Sequence, residues 1–215
     1  MRDASAAEGA LRVSSLFPTL VGEALLPGAT SLNRELAAWL RERERSERDV
    51  SPHTTVNEGW QSGLDVLDAD VPAVRRLRER IDVQIERFLE AWGRASFAPG
   101  APAAFRYSYV GWAVILRPGG FQHEHVHSKT DLVGVYYVEV PPAAPGADVG
   151  GLTLVDPRSS RVASRAVWES AQLTLVPEAG KLVIFPSFVP HRVERVSAPG
   201  ERISINFDVM LQAAA

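Results

Sequence analysis

Three histidines stand at alternate positions in His123-Glu124-His125-Val126-His127, and about sixty residues later a fourth closes the segment Phe185-Pro186-Ser187-Phe188-Val189-Pro190-His191. Four of the five histidines in the chain fall in this one pattern. In a strand, side chains at i and i+2 share a face, so an H-x-H segment offers two imidazoles to one metal ion and a distant histidine can complete a facial set of three. Residues at i and i+4 stand roughly 13 Å apart in a strand, too far for both to ligate one ion at about 2 Å. The clustered pair is therefore 123/125 or 125/127, with His125 common to both and the leftover histidine beside the ligands or facing substrate. Glu124 points to the opposite face and is a poor ligand. Eleven residues after His191 comes Arg202, with Ser204 on the same strand face. A guanidinium fork beside a hydroxyl suits a carboxylate. Metal ligands joined to a carboxylate clamp imply a chelating oxo-acid cosubstrate.

Composition narrows the metal. The chain has 215 residues, no cysteine and a net charge of -3. Without thiolates there are no disulfides, cysteine-held iron-sulfur clusters or thiolate zinc sites, and the remaining imidazole and carboxylate donors suit iron(II). The interspersed charges argue against a nucleic-acid footprint. Met1 to Val13 lacks a basic segment followed by an apolar run, so it does not read as a secretory signal, and no stretch approaches the roughly 20 apolar residues of a membrane span. The expectation is a soluble, cytoplasmic protein with neither nucleic acid nor membrane as partner.

The elements that must position these residues divide the chain in two. We read residues 1–215 as a single domain, with 1–98 giving helical support and edge strands and 105–212 the catalytic core. Phe17, Thr19 and Val21 suggest an edge strand. Ser31 or Asn33 can cap a helix running to about Arg45, with Leu36, Trp39 and Leu40 as its apolar stripe. A longer helix is signalled by Pro72 and by Val74, Leu77, Ile81, Ile85, Phe88, Leu89 and Trp92. After a linker from Ala98 to Ala104, short β-rich runs follow at Phe105–Leu116, Gln122–His127, Leu132–Val140, Gly151–Val155, Ala171–Val176, Lys181–Phe185, His191–Val196 and Arg202–Met210. Such a run without helices argues for an antiparallel sandwich or jelly roll whose mouth holds a small-molecule or metal site.

The segments Gln122 to Pro141 (QHEHVHSKTDLVGVYYVEVP), Asp156-Pro157-Arg158, Phe185 to His191 and Arg202 to Phe207 (RISINF) resemble the 2-oxoglutarate/iron(II) oxygenases of the H-x-H…G-V-Y-Y-V…D-P-R…F-P-S…H…R-I-S type. Leu16-Phe17-Pro18-Thr19 and Gly59-Trp60-Gln61-Ser62 also look like that family, so the resemblance spans nearly the whole chain. It implies a mainly β fold with N-terminal helices, a cupin-like double-stranded β-helix or jelly roll. It implies His125, His127 and His191 as metal ligands, Arg202 on the far carboxylate of 2-oxoglutarate, and Ser204 and Tyr137 beside the cosubstrate. The implied activity is that of a dioxygenase using Fe(II), 2-oxoglutarate and O2, hydroxylating an unactivated C–H bond and releasing succinate and CO2. Where the commoner pattern has an aspartate or glutamate, this chain has His127.

Other residues carry two readings each. Trp60 is a core tryptophan or faces substrate, Arg158 orders a turn through Asp156 or reaches substrate, and His123 is the histidine left beside the ligands or facing substrate. Trp39 and Trp92 are core packing, and His53 is a loop histidine. The segments Asn57–Asp65 and Pro141–Gly150 are candidates for walls or a lid. A three-histidine cupin-type metalloenzyme without 2-oxoglutarate, and a non-catalytic cupin-like binding protein, are the alternatives. The expected partner is a small-molecule or carrier-bound substrate, and a homodimer through the helical face is left open.

Overall fold

A computed structural model describes residues 19–47, 55–95, 105–142, 145–158 and 171–213, so the expectations for Leu16 to Pro18, His53 and the Ala98–Ala104 linker lie outside the described residues. In chain order the elements are β1 (Gly22–Leu25), α1 (Ala29–Ser46), β2 (Val56–Gln61), a 3-10 turn (Val66–Asp68), α2 (Pro72–Ala95), β3 (Phe105–His125), β4 (Leu132–Glu139), β5 (Leu152–Val155), β6 (Gln172–Leu175), β7 (Lys181–Pro186), β8 (His191–Val193) and β9 (Arg202–Ala213).

The strands pair along the path β1-β7-β4-β9-β3-β8-β5-β6, with β2 beside β3. The long strand β3 turns this path back on itself. Its first part, Phe105 to Leu116, pairs with β9 from Ala213 to Arg202, whereas Gln122 and His125 pair with Val193 and His191 of β8. The change of partner follows Pro118-Gly119-Gly120, where Gly119 takes a φ of 99° that a side chain would resist. The two strands expected here, ending at Leu116 and beginning at Gln122, are thus one element that changes wall. The result is a curled antiparallel sheet, a jelly roll, with helices on one face.

Alternation along the strands decides what each wall sees. On β9, Ile203, Ile205, Phe207 and Val209 pack toward the helices, and on β4 so do Leu132, Tyr136 and Val138. The intervening Val133, Val135 and Tyr137 face the barrel interior with Phe185 and Leu154. By the same period of two, Arg202, Ser204, Asn206 and Asp208 point inward from β9. The helical layer is amphipathic as expected: Leu32, Leu36 and Leu40 of α1 and Val74, Leu77, Ile81 and Ile85 of α2 are buried against the sheet.

Three local expectations change. Helix α1 begins at Ala29 after Gly28, with no side-chain cap, and Asn33 is instead buried and accepts a hydrogen bond of 2.5 Å from Tyr136 Oη. The edge strand starts at Gly22, where Gly22 to Leu25 pair with Ile184 to Lys181. Asn57 to Gln61 belong to β2, paired with β3 through Trp60 opposite Ile115, and do not cover the site. The sequence Val56-Asn57-Glu58-Gly59-Trp60-Gln61 does not read as a strand because its polar residues and glycine hide its period. Among the described residues no helix is long and apolar enough to cross a membrane.

Candidate metal centre

His125 is the last residue of β3 and stands directly opposite His191, the first residue of β8. Directly opposed residues of an antiparallel pair share a face, and the two ring centroids are 4.3 Å apart. His127 lies two residues past the end of β3, and its ring centroid is 5.1 Å from both of the others. One ring nitrogen from each of the three lies within 4.8 Å of the others.

Each imidazole has its Nδ1 committed elsewhere. His125 Nδ1 is 2.6 Å from the His123 carbonyl, His191 Nδ1 is 2.9 Å from the Val189 carbonyl, and His127 Nδ1 is 2.6 Å from Asp208 Oδ1. A carbonyl or an ionised carboxylate only accepts, so Nδ1 carries the proton and Nε2 offers a lone pair. Burial holds His125 below the usual imidazole range. Burial, reinforced by the neighbouring His125 and His127, pushes His191 down to about 3 against the opposing pull of the Val189 carbonyl. These two rings therefore stay neutral near pH 7. Three imidazoles turned toward one another in this way fit a divalent transition metal such as iron(II).

His123 stays outside the group. It is exposed and sets its ring edge-on to Phe121, 4.9 Å between centroids, while its backbone carbonyl orients His125. Glu124 turns to the outer face and reaches Arg192 at 3.3 Å.

The three histidines line a cleft together with Arg202, Asn206, Gln122 and Trp112. Its empty space, solvent at the mouth included, is about 320 Å³. Trp112 stacks on His127 with centroids 5.7 Å apart. Val133, Val135, Leu152 and Val193 supply apolar walls.

Arg202 is 1 % exposed. Its Nε donates to the Gly150 carbonyl at 2.9 Å and its Nη1 to Ser204 Oγ at 3.1 Å, while the guanidinium carbon lies 4.9 Å from the centre of the Tyr137 ring. No carboxylate among the described residues forms an ion pair with it: Glu201 pairs with Arg41 and Arg117, and Asp208 with His127. Asp148, which also acts on Arg202 electrostatically, turns its Oδ1 to the N–H groups of Gly150 and Gly151. Burial pulls Arg202 below the ordinary guanidinium value. Two further buried groups, Tyr137 Oη and Asn206 Nδ2, have no hydrogen-bond partner among the described residues. An unpaired buried polar group costs about 1–3 kcal/mol, and a buried unpaired cation costs more. Arg202, Tyr137 and Asn206 on the interior of one barrel form the pattern of a site that receives an anionic, hydrogen-bonding ligand.

The remaining candidates fall elsewhere. Trp60 packs in the helix-facing core and does not line the cleft; its register opposite Ile115 aims it away from the barrel interior. Arg158 forms a fork with Asp156, Nε at 2.9 Å and Nη2 at 2.7 Å, in an exposed turn. The segment before β5 lies behind Arg202, because the Gly150 carbonyl holds the guanidinium and Asp148 caps the N–H groups that follow. Sequence reasoning missed Asn206 and Asp208 as site residues. Extending the period of two from Arg202 and Ser204 finds both. Trp112 and Gln122 have no local signal: the pairing of β3 with β9 sets Trp112 opposite Asn206, and the bend of β3 brings Gln122 to the cleft.

Fold and site together define a jelly roll that holds three convergent histidines and a buried arginine in its cleft. Residues 111–208, which hold all three histidines and Arg202, match the family model described as "Putative 2OG-Fe(II) oxygenase". The three-histidine group and the unpaired Arg202 fit the iron(II) and 2-oxoglutarate of the family's name. Among solved structures, the fold is similar to a Pseudomonas putida prolyl-4-hydroxylase, with 20% identity over 88% of this chain and 91% of that one and a TM-score of 0.61. It is likewise similar to a Trichoplax adhaerens prolyl hydroxylase in complex with a hypoxia inducible factor peptide fragment, with 14% identity, 88% and 83% coverage and a TM-score of 0.61. HygX from Streptomyces hygroscopicus, solved with nickel and 2-oxoglutarate bound, gives 13% identity, 88% and 83% coverage and a TM-score of 0.53. No curated protein sequence matches the chain.

Proposed function

We propose that this oxygenase hydroxylates an unactivated C–H bond of a small-molecule or carrier-bound substrate while 2-oxoglutarate and O2 become succinate and CO2. The observation that carries this reading is the buried guanidinium of Arg202, which lines the cleft of the three histidines and has no carboxylate partner among the described residues. Iron(II) would be held by Nε2 of His125, His127 and His191. Bound there, the metal supplies the chemistry that couples oxidative decarboxylation of the cosubstrate to oxidation of a C–H bond.

The residues of the chain have the other tasks. Arg202 binds the far carboxylate of 2-oxoglutarate by a charge-assisted pair, and Ser204 Oγ holds the guanidinium in plane for it. Tyr137 Oη, buried and unpartnered, is a further donor to the same carboxylate. Val133, Val135 and Leu152 flank the methylene chain and keep water out of the cleft. A cupin-type metalloenzyme working without an oxo-acid leaves the charge of Arg202 uncompensated and is not favoured.

The test is anaerobic titration of the iron(II)-loaded protein with 2-oxoglutarate. A saturable visible metal-to-ligand charge-transfer band, lost in Arg202→Ala with iron retained, is the expected result. Iron binding without any such band would overturn the cosubstrate assignment.

A further inference from the structure

We propose that Asp208 is a positioning residue that gives the three-histidine group, through His127, the negative charge that a ligating carboxylate would otherwise supply. The inference rests on the reading of His125, His127 and His191 as metal ligands.

Two of the three imidazoles are oriented in the same economical way. His125 and His191 each stand at the end of a strand and donate Nδ1–H to the backbone carbonyl two residues before them. His127 lies beyond β3 and has no such carbonyl. Its Nδ1 meets Asp208 Oδ1 at 2.6 Å, a short charge-assisted contact. The pair is largely sequestered, with side chains 11% and 21% exposed. Asp208 is held in place by β9, which pairs it with Val110 of β3 on one side and Val133 of β4 on the other. The segment after His127 is laced to the same strand: Thr130 Oγ1 and Asp131 N both donate to the Val209 carbonyl, at 2.8 and 2.9 Å. Among the described residues, Asp208 is the one carboxylate hydrogen-bonded to any of the three imidazoles.

Charge explains the placement. Two histidines and a carboxylate reduce the charge of a divalent ion by one, whereas three neutral imidazoles leave it unchanged in a cleft that also contains the Arg202 cation. A carboxylate accepting from Nδ1 shifts electron density toward Nε2 and makes His127 a stronger, partly anionic donor. The carboxylate is thus moved one shell outward, and the position it leaves in the chain is filled by the ring it polarises.

The test uses Co(II) as probe on the metal-free full-length protein. Asp208→Asn keeps an acceptor and removes the charge. It is expected to weaken Co(II) binding about tenfold, and Asp208→Ala up to about a hundredfold, with a shifted Co(II) ligand-field band in both. Glu124→Gln, which removes a charge on the outer face beside the ligands, should bind as wild type does. An Asn variant with wild-type affinity and an unshifted band overturns the proposal. Nitrogen NMR of unmutated, metal-free protein adds a check independent of any variant: His127 should be the Nδ1–H tautomer, and an Nε2–H tautomer overturns the assignment. Failure of the wild-type protein to bind Co(II) would instead remove the metal-site reading itself, which keeps the two failures distinguishable.

Discussion

The Gly150 carbonyl accepts a hydrogen bond from Arg202 Nε at 2.9 Å, and a Cβ on Gly150 would stand 2.6 Å from Arg202 Cδ. Gly150 also has a φ of 81°, so this position requires glycine for its backbone and for the room it leaves. Gly150→Ala should therefore displace the guanidinium while leaving the histidines in place. We expect a stability loss of about 1–2 kcal/mol from the left-handed backbone, a weakening of 2-oxoglutarate binding of at least about tenfold (about 1.4 kcal/mol), and unchanged Co(II) affinity. Chemical denaturation and two titrations check the three parts.

Alanine at His125, His127 or His191 should each abolish stoichiometric iron(II) binding, because two remaining nitrogen donors do not hold the ion. His123→Ala should bind iron as wild type does, since His123 contributes its backbone carbonyl rather than its ring. Metal content after dialysis separates the four variants. Iron lost in His123→Ala and kept in His127→Ala would reverse the pairing.

Arg202→Met pits function against stability. Replacing a buried cation that lacks a carboxylate partner with an apolar side chain of similar length should raise the stability of the ligand-free protein by on the order of 1 kcal/mol. The same change should eliminate 2-oxoglutarate binding. A lower melting temperature for the ligand-free variant would mean that the hydrogen bonds to Gly150 and Ser204 already compensate the buried charge.

Glu201 provides a pH dependence. Burial alone would raise its pKa, but hydrogen bonds from Arg41 at 2.8 Å and Arg117 at 3.0 Å outweigh it and hold the carboxyl below the usual range. A depressed carboxyl means that the unfolded chain binds the proton more readily, so the contribution is present above the ordinary carboxylate pKa and is lost as pH falls through the folded value. Glu201→Gln should cost about 1 kcal/mol at pH 7, and the difference should shrink in acid. Urea unfolding of both proteins at pH 7 and pH 3 measures it.

Much of the site is legible along the chain because its spacing is local. The spacing of two marks His125 and His127 as a pair, although His127 lies just past the end of β3, and the same spacing puts Arg202 beside Ser204. The helical stripes of α1 and α2 are equally plain, since Leu36 and Leu40, or Leu77, Ile81 and Ile85, repeat at helical steps and are buried. Strand β2 was hidden because its pairing with β3, and not its composition, makes it a strand.

What the chain determines by itself is the chemical set: nitrogen donors without thiolates, one arginine with a neighbouring serine, and the alternation that turns them all inward. The bend of β3 decides the rest. By leaving β9 after Leu116 and joining β8, it carries His125 across to His191 and closes the cleft on Arg202. Whether 123/125 or 125/127 forms the clustered pair follows from that register, since pairing His125 with His191 leaves His123 exposed and sends His127 toward Asp208. A strand period cannot supply this choice, because both pairs satisfy it equally and only the position of the opposite wall distinguishes them.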